Sequence, residues 1–396
     1  LEKTYYIPNT EIRGEIESIA FNEDGEMMQK YTPEIWKDIE VEKVSEAELN
    51  EIKKTLVQPF MMVDKLMFRC RIFETPEAGY LFMDVHHTLF DGTSSKVFFG
   101  DVLKAYFGQP LEPDYYYYTL VKRQKQTESK FYAESKEYFA KRYDTNKYNW
   151  SKYPSIDNET RENKDNEIFM PIGIKKEAYQ NFLKRHNMSP NAFFIAANIL
   201  ATAFYNKKKD VMVSWIYNGR NDANEMGTVG LLFRNLPVGI RLDGKMLMDG
   251  LYSDITDQIN KGIEHSCYPA VELNRNVVID DMECILYQDD LREIADMPGL
   301  LGEVKVESEK AASQNILDLE ILNSADGLKV MIDYAAARYN IASMQYYGII
   351  MCSVCQAMVE LGNKKKVTVK AILEKVYHIN KLGNIFKQLT AFKWLK

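Results

Sequence analysis

The stretch MDVHHTLFDGTSS, Met83 to Ser95, sets His86 and His87 side by side, with Asp91 and Gly92 after a three-residue spacer. An imidazole gains and loses its proton near neutral pH, so a histidine delivered by a strand end is a candidate acid/base group. Gly92 permits close backbone approach just ahead of a helix, whose free N-terminal N–H groups favour developing negative charge. Proton transfer beside a forming anion is the chemistry these residues could do. His87 has two other readings, a satisfied core histidine and a metal ligand. Strand geometry disfavours the ligand. Along YLFMDVHH, Leu81, Met83, Val85 and His87 share one face, while Tyr80, Phe82, Asp84 and His86 share the other. The two imidazoles should not converge on one ion, and no metal site is expected. Asp91 reads either as a plain helix N-cap or as a residue that holds the turn.

A second suggestive pair, Cys352 and Cys355, forms a C-x-x-C inside the apolar, helix-like run SMQYYGIIMCSVCQAMVELG. No second pair completes a zinc site and no βαβ context supports redox chemistry, so both thiols read as buried structural residues.

The elements that would position the histidines are legible around them. KLMFRCRIF and YLFMDVHH flank the Pro/Gly turn ETPEAG and predict a hairpin. After the Asp-Gly pair, Thr93 to Ser95 offer N-caps for a helix whose apolar positions Val97, Phe98, Val102, Leu103 and Tyr106 recur at helical spacing until Gly108. Further on, Ser189 and Pro190 open a helix through NAFFIAANILATAF. DVMVSWIY and GLLFRNLPVGIRL read as strands, MLMDGLYSDITDQINKGIEH as a helix, and ILDLEILNSADGLKVMIDY as a hairpin turning at Ala325-Asp326-Gly327. Basic residues outnumber acidic ones in Leu120 to Arg142, which reads as a solvated amphipathic helix or, more sharply, as a docking face for an acidic partner. The polar stretch 146–167 is the expected connection, dividing an N-terminal lobe, 1–145, from a C-terminal one, 168–396. Strands and helices alternate irregularly in both halves, which predicts two α+β lobes.

Composition bounds the rest. A net charge of −7 over 396 residues argues against a nucleic-acid partner. The longest apolar runs fall short of the roughly 20 residues that span a bilayer. The opening LEKTYYIPNTEIRGE carries no secretory signal, and five unpaired-looking cysteines suit a reducing compartment, so a cytoplasmic location is expected.

HHTLFDG matches H-H-x-x-x-D-G, and through it the chain resembles the condensation domains of nonribosomal peptide synthetases, within the chloramphenicol acetyltransferase-like superfamily. Other segments resemble the family in order. DYYYYTLVKRQ resembles its D-Y-x-x-W segment, with Tyr118 in place of Trp. VSWIYNGR followed by GTVGLLFRNLPVGIR resembles the strand ending in Gly-Arg and the run G-x-F-V-N-T-x-P-x-R, with Arg234 and Asn235 where that run has Asn and Thr. HSCYPAVEL and LKVMIDYAAARYN resemble later segments, whereas NRNVVIDDMEC scarcely matches its counterpart. Only 85 residues precede His86, so the usual opening strand and helices are expected to be cut or abbreviated.

The resemblance implies two lobes in a V-shaped arrangement with a tunnel between them, and amide formation between two thioesters. A donor acyl group and an acceptor aminoacyl group would arrive on 4'-phosphopantetheine arms of two peptidyl carrier proteins, an adenylation domain being a further neighbour. The domain itself would bind no cofactor. His87 is implied as the reacting group, as base or as positioner of the amine, with Gly92 beside it. His86, Asp91 and Arg220 would support the site, with Arg234 a second choice as the partner of Asp91. Tyr115, Arg234 and Asn235 are candidates for the tunnel lining. Three alternatives stand beside this reading. They are a free-standing acyltransferase acting on a small alcohol or amine, an epimerisation domain, and a non-catalytic recruitment domain on the same scaffold.

Overall fold

A computed structural model describes residues 39–61, 65–157, 165–268, 284–289, 317–324, 326–379 and 393–395, together with the backbone of short strands within 5–31. The chain divides into two compact units, Leu1–Glu128 with Asn218–Phe233, and Ser129–Tyr217 with Arg234–Lys396.

In the first unit, β1 (Tyr5–Ile7) pairs with β2 (Thr10–Ile12), and β3 (Ile16–Phe21) with β4 (Met27–Tyr31). A three-stranded sheet then follows: β5 (Val41–Lys43) lies parallel to β6 (Phe68–Glu74), which pairs antiparallel with β7 (Gly79–Val85). Between β5 and β6 runs α1 (Glu46–Leu56), opened by a capping box in which Ser45 and Glu48 satisfy each other's backbone N–H. The β6–β7 hairpin is the expected one, but its second strand stops at Val85, two residues short of His87. α2 (Gly92–Tyr106) follows, capped by Asp91 rather than by Thr93 to Ser95, and Gly108 ends it at φ +68°. α3 (Tyr116–Thr127) completes the unit, together with the returning segment 218–233.

The second unit begins with α4 (Lys130–Arg142). Leu120 to Arg142 is therefore two helices and not one, because Ser129 accepts from the Tyr132 N–H and starts a new N-terminus. α4 belongs to the second unit because Phe139 and Tyr143 are buried in its core, the Tyr143 hydroxyl donating to the Pro237 carbonyl at 2.7 Å. The division thus falls at 128/129 and not at 146–167. Much of that polar stretch is tied into the second unit as well. The Ser151 N–H donates to the Asp210 carbonyl, the Met212 N–H to the Ser151 carbonyl, and Asn206 Nδ2 to Ser151 Oγ. The backbone and hydroxyl of Ser151 are anchors, which composition alone does not distinguish from a solvated linker.

A six-stranded mixed sheet organises this unit. Its strands are β8 (Asp165–Pro171), β9 (Asp210–Tyr217), β10 (Arg234–Arg241), β11 (Cys284–Asp289), β12 (Leu317–Ser324) and β13 (Gly327–Ala335), in the order β10-β9-β11-β12-β13-β8. Strand β10 starts at Arg234, so the first four residues of GLLFRNLPVGIRL belong to the other unit. The expected β12–β13 hairpin is present, though Ala325 lies outside the described residues. So does NRNVVIDDMEC except for its last residue, Cys284, and so does the end of HSCYPAVEL beyond Tyr268.

Helices α5 (Lys176–His186), α6 (Pro190–Asn206), α8 (Met248–Glu264), α9 (Ile341–Leu361) and α10 (Val369–Ile379) complete it, and the four-residue α7 (Ala223–Met226) lies in the first unit. α6 is buried without interruption from Ala192 to Phe204 and apolar there except for Asn198 and Thr202, which hydrogen-bond to the Tyr347 hydroxyl, the pattern of a helix at the centre of a core. On α9 both Cys352 and Cys355 are buried, and burial pushes the Cys352 thiol up to about 12, as expected of inert structural residues. Among the described residues no helix is long and apolar enough to cross a membrane.

Candidate active site

The histidine pair sits on a turn. The His86 N–H donates to the Met67 carbonyl at 2.8 Å, one bond beyond the last paired strand residue. The chain then folds back, the Leu89 N–H donating to the His86 carbonyl at 3.0 Å. Since β7 ends at Val85, the alternation of strand faces does not reach His87, and this corrects the basis of the two-face expectation. The imidazoles diverge because the turn separates them. His86 Nδ1 accepts from the Thr88 N–H at 3.2 Å, so its proton belongs on Nε2. Its ring meets Phe60 edge to face at 5.8 Å, and the Arg69 guanidinium covers Phe60 at 3.9 Å. His86 therefore braces the turn from behind. His87 is exposed, its ring 5.8 Å from that of Phe233 at an interplanar angle of 65°. Among the described residues no group of three or more His, Cys, Asp or Glu could hold a metal ion.

Asp91 closes the turn and is buried at 5% exposure. Its Oδ1 accepts from the Ser94 N–H at 2.9 Å and from Arg220 Nη2 at 3.0 Å, with Ser94 Oγ at 2.8 Å. Its Oδ2 accepts from Arg220 Nη1 and from the Leu232 N–H, each at 2.9 Å. Asp91 is both the helix N-cap and the arginine partner, so the two readings left open by the sequence are one arrangement. Burial raises the Asp91 pKa, but the Arg220 hydrogen bonds and charge, with the Leu232 and Ser94 N–H groups, outweigh it and hold the carboxyl below its ordinary value. A carboxylate saturated in this way holds structure and leaves no lone pair facing substrate.

Arg220 is itself fully enclosed, Nη2 also donating to the Thr228 carbonyl at 3.0 Å and Nη1 to the Asn218 carbonyl at 3.0 Å. It reaches this position through Gly219, whose φ of +70° suits glycine and where any side chain would collide with the Leu232 carbonyl. The segment 218–233 is gripped at further points. The Val229 N–H donates to Asp114 Oδ2 at 2.9 Å, and Lys122 Nζ donates to Asp222 and Glu225 at 2.8 and 2.9 Å. Arg123 Nη2 donates to the Gly219 carbonyl at 2.6 Å. Two of the basic residues flagged as a docking face thus hold this segment instead.

Ser94, Asp114, Lys122 and Glu225 were not singled out as site residues. Asp114 carried a usable signal, standing at the start of the D-Y-x-x-W-like segment. Glu225 carried none. Tyr115 is the half-buried N-cap residue of α3, without a side-chain capping bond. Arg234 and Asn235 open β10 in the second unit, where Asn235 Oδ1 accepts from Cys284 Sγ at 3.8 Å, and Arg220 alone takes the place at Asp91 for which Arg234 was second choice.

The model of the condensation-domain family matches residues 18–375. The chain belongs to the condensation-domain family. Bacitracin synthase 1 of Bacillus licheniformis is similar at 22% identity over 81% of this chain. That match occupies only 6% of the synthase, so the chain corresponds to a small part of its relative. The solved condensation domain of Monacolin K polyketide synthase aligns over 89% of this chain and 86% of its own, with a TM-score of 0.70 and 14% identity. The X-domain from teicoplanin biosynthesis, solved in complex with OxyB, aligns over 90% of this chain and 84% of its own, at TM-score 0.69 and 13% identity. At these identities the solved structures establish the fold, which is the mixed α and β fold of condensation domains.

Proposed function

We propose that this condensation domain joins a donor acyl or peptidyl thioester to an acceptor aminoacyl thioester in nonribosomal peptide synthesis. The observation that carries the reading is the exposure of His87 on a turn whose far end, Asp91, is locked by a buried, bidentate arginine. The acceptor amine attacks the thioester carbonyl, a C–N bond forms and the C–S bond breaks. The amine's proton ends on the departing thiolate of the donor arm. The thioester is already activated, so no enzyme nucleophile is needed, and the protein supplies alignment and charge stabilisation.

His87 accepts the amine's proton or holds the neutral amine by hydrogen bonding. An α-amino group of pKa about 7.7–8.0 is already partly neutral at pH 7, which makes either role sufficient. Gly92 opens α2, and with the Ser94 and Ser95 N–H groups taken by Asp91, the Gly92 and Thr93 N–H groups at the helix start are the donors that would favour the tetrahedral oxyanion. Both substrates ride on 4'-phosphopantetheine arms of carrier proteins, the partners this reading requires, with an adenylation domain to load the acceptor.

The test supplies donor- and acceptor-loaded carrier proteins and follows the acceptor's covalent load by intact-protein mass spectrometry. Transfer by the wild type that collapses in a folded His87→Ala variant supports the reading. Acylation of a small free alcohol or amine without carrier-bound acceptor replaces it with the free-standing acyltransferase. Absence of any transfer with a series of loaded carriers favours the recruitment domain.

A further inference from the structure

We propose that Phe233 is the positioning residue for the His87 imidazole, and that Asp91 holds it there through the Leu232 N–H. The proposal rests on His87 being the reacting group. An exposed histidine on a turn has free χ1 and χ2 rotation unless something restrains its ring. Here the half-buried Phe233 ring stands edge-on to it, at a centroid distance of 5.8 Å. Such aromatic pairs favour particular relative orientations and disfavour the rest.

The backbone carrying Phe233 is fixed on the residue before it. The Leu232 N–H donates to Asp91 Oδ2 at 2.9 Å, and the Leu232 carbonyl accepts from Arg123 at 3.3 Å. Gly230 is fixed as well, since its N–H donates to Ser94 Oγ at 2.9 Å and its Cα lies against the Tyr116 ring, leaving no room for a side chain. Asp91 therefore acts on His87 from two sides. Along the chain it closes the turn, and across space it anchors the segment that presents the aromatic ring. Phe233 stands where the pattern G-x-F-V-N-T-x-P-x-R has Val. An aliphatic side chain there would form no aromatic pair with the imidazole.

The first measurement reads the contact directly. In the full chain labelled with 13C and 15N histidine, the His87 Cε1–H resonance is identified by its loss in His87→Gln. Phe233→Leu should move that resonance and leave those of His186, His265 and His378 in place, because a ring current is removed at one site only. The second reads the consequence in the carrier-protein transfer assay. Phe233→Leu should lower kcat roughly 10- to 100-fold, the scale of a small misplacement of a reacting group, with KM within about twofold. Phe233→Tyr should recover most of the loss. An unmoved His87 resonance, or a moved one with unchanged kcat, overturns the proposal. If the wild type transfers nothing, the proposed reaction fails on its own, and an unmoved His87 resonance still overturns the contact with Phe233.

Discussion

Asp91 and Ser189 perform the same local task in the two units, and everything around them differs. Each caps a helix by accepting from the N–H three residues on, Asp91 for α2 and Ser189 for α6. Ser189 introduces a helix buried among apolar side chains, and its cap at 3.1 Å is local. Asp91 introduces the helix beside the histidine turn, and its carboxylate also binds Arg220 and Leu232. The second unit is held mainly by non-directional burial, which tolerates small shifts. The site region of the first is held by directional bonds among buried charges, which fix geometry and are costly to break singly. A reacting side chain needs the second kind of support.

The largest expected effect separates activity from stability. His87→Ala should reduce carrier-to-carrier transfer by about 10²- to 10⁴-fold if His87 moves the proton. Because His87 is exposed and lies outside the buried network, the same variant should change unfolding free energy by no more than about 0.5 kcal/mol. Chemical denaturation of the purified variant beside the transfer assay checks both. A large stability loss would place His87 among the supporting residues.

Arg220→Ala inverts the pattern. It leaves Asp91 buried without its partner and should cost about 3–5 kcal/mol, with activity lost because the turn is no longer held. Leu200→Ala, in the fully buried centre of α6, should cost about 2–5 kcal/mol through lost packing. Hydrogen exchange followed by mass spectrometry distinguishes the two. Arg220→Ala should raise exchange first in α2 and 218–233, and Leu200→Ala first in α6. Uniform loss of protection in both variants would erase the contrast between the regions.

Acid should reveal the same difference more gently. The Asp91 carboxyl is held below its ordinary value of 3.8 in the fold. A depressed folded pKa adds stability that is fully present above the unfolded value and lost as pH falls through the folded one. Below about pH 4 the wild type should therefore lose stability partly through this group, whereas Asp91→Asn, weaker at neutral pH, should show a shallower decline. Denaturation midpoints between pH 5 and pH 2 measure the slopes. Equal slopes would mean that Asp91 carries no such linkage.

The contrast also explains what the sequence could reveal. Helical spacing marked α2, the Ser189-Pro190 start and an apolar run marked α6, another apolar run marked α9, and DVMVSWIY gave the limits of β9. HHTLFDG marked the candidate site, because an Asp-Gly turn and paired histidines are rare together. The break at Ser129 was missed, since Leu120 to Arg142 keeps its amphipathic character through both helices. The placement of 218–233 was missed for a different reason. GLLFRNLPVGIRL is apolar on both sides of Arg234-Asn235, and only the bonds from Asp91, Ser94 and Arg123 to its first residues show that those lie outside the strand. Phe233 lay within that run and read as strand interior. Directional networks between distant residues leave single polar letters in the sequence, with no period to flag them.

The smallest predicted effect is the sharpest control on the opening contrast. Ser189→Ala removes one capping bond at an exposed position and should cost about 1 kcal/mol, the usual value for a lost N-cap. Pro190 still presets the first helical turn, and the buried face of α6 is untouched, so the helix should persist with a frayed start. Asp91→Ala removes a cap of the same local geometry but also strips Arg220 of its partner, and should cost several times more. Restoring only the cap with Asp91→Ser should then recover about 1 kcal/mol of that loss and none of the transfer activity. If Asp91→Ser instead recovered nearly all the stability, the ion pair would contribute little, and the turn that carries His87 would be held by its cap alone.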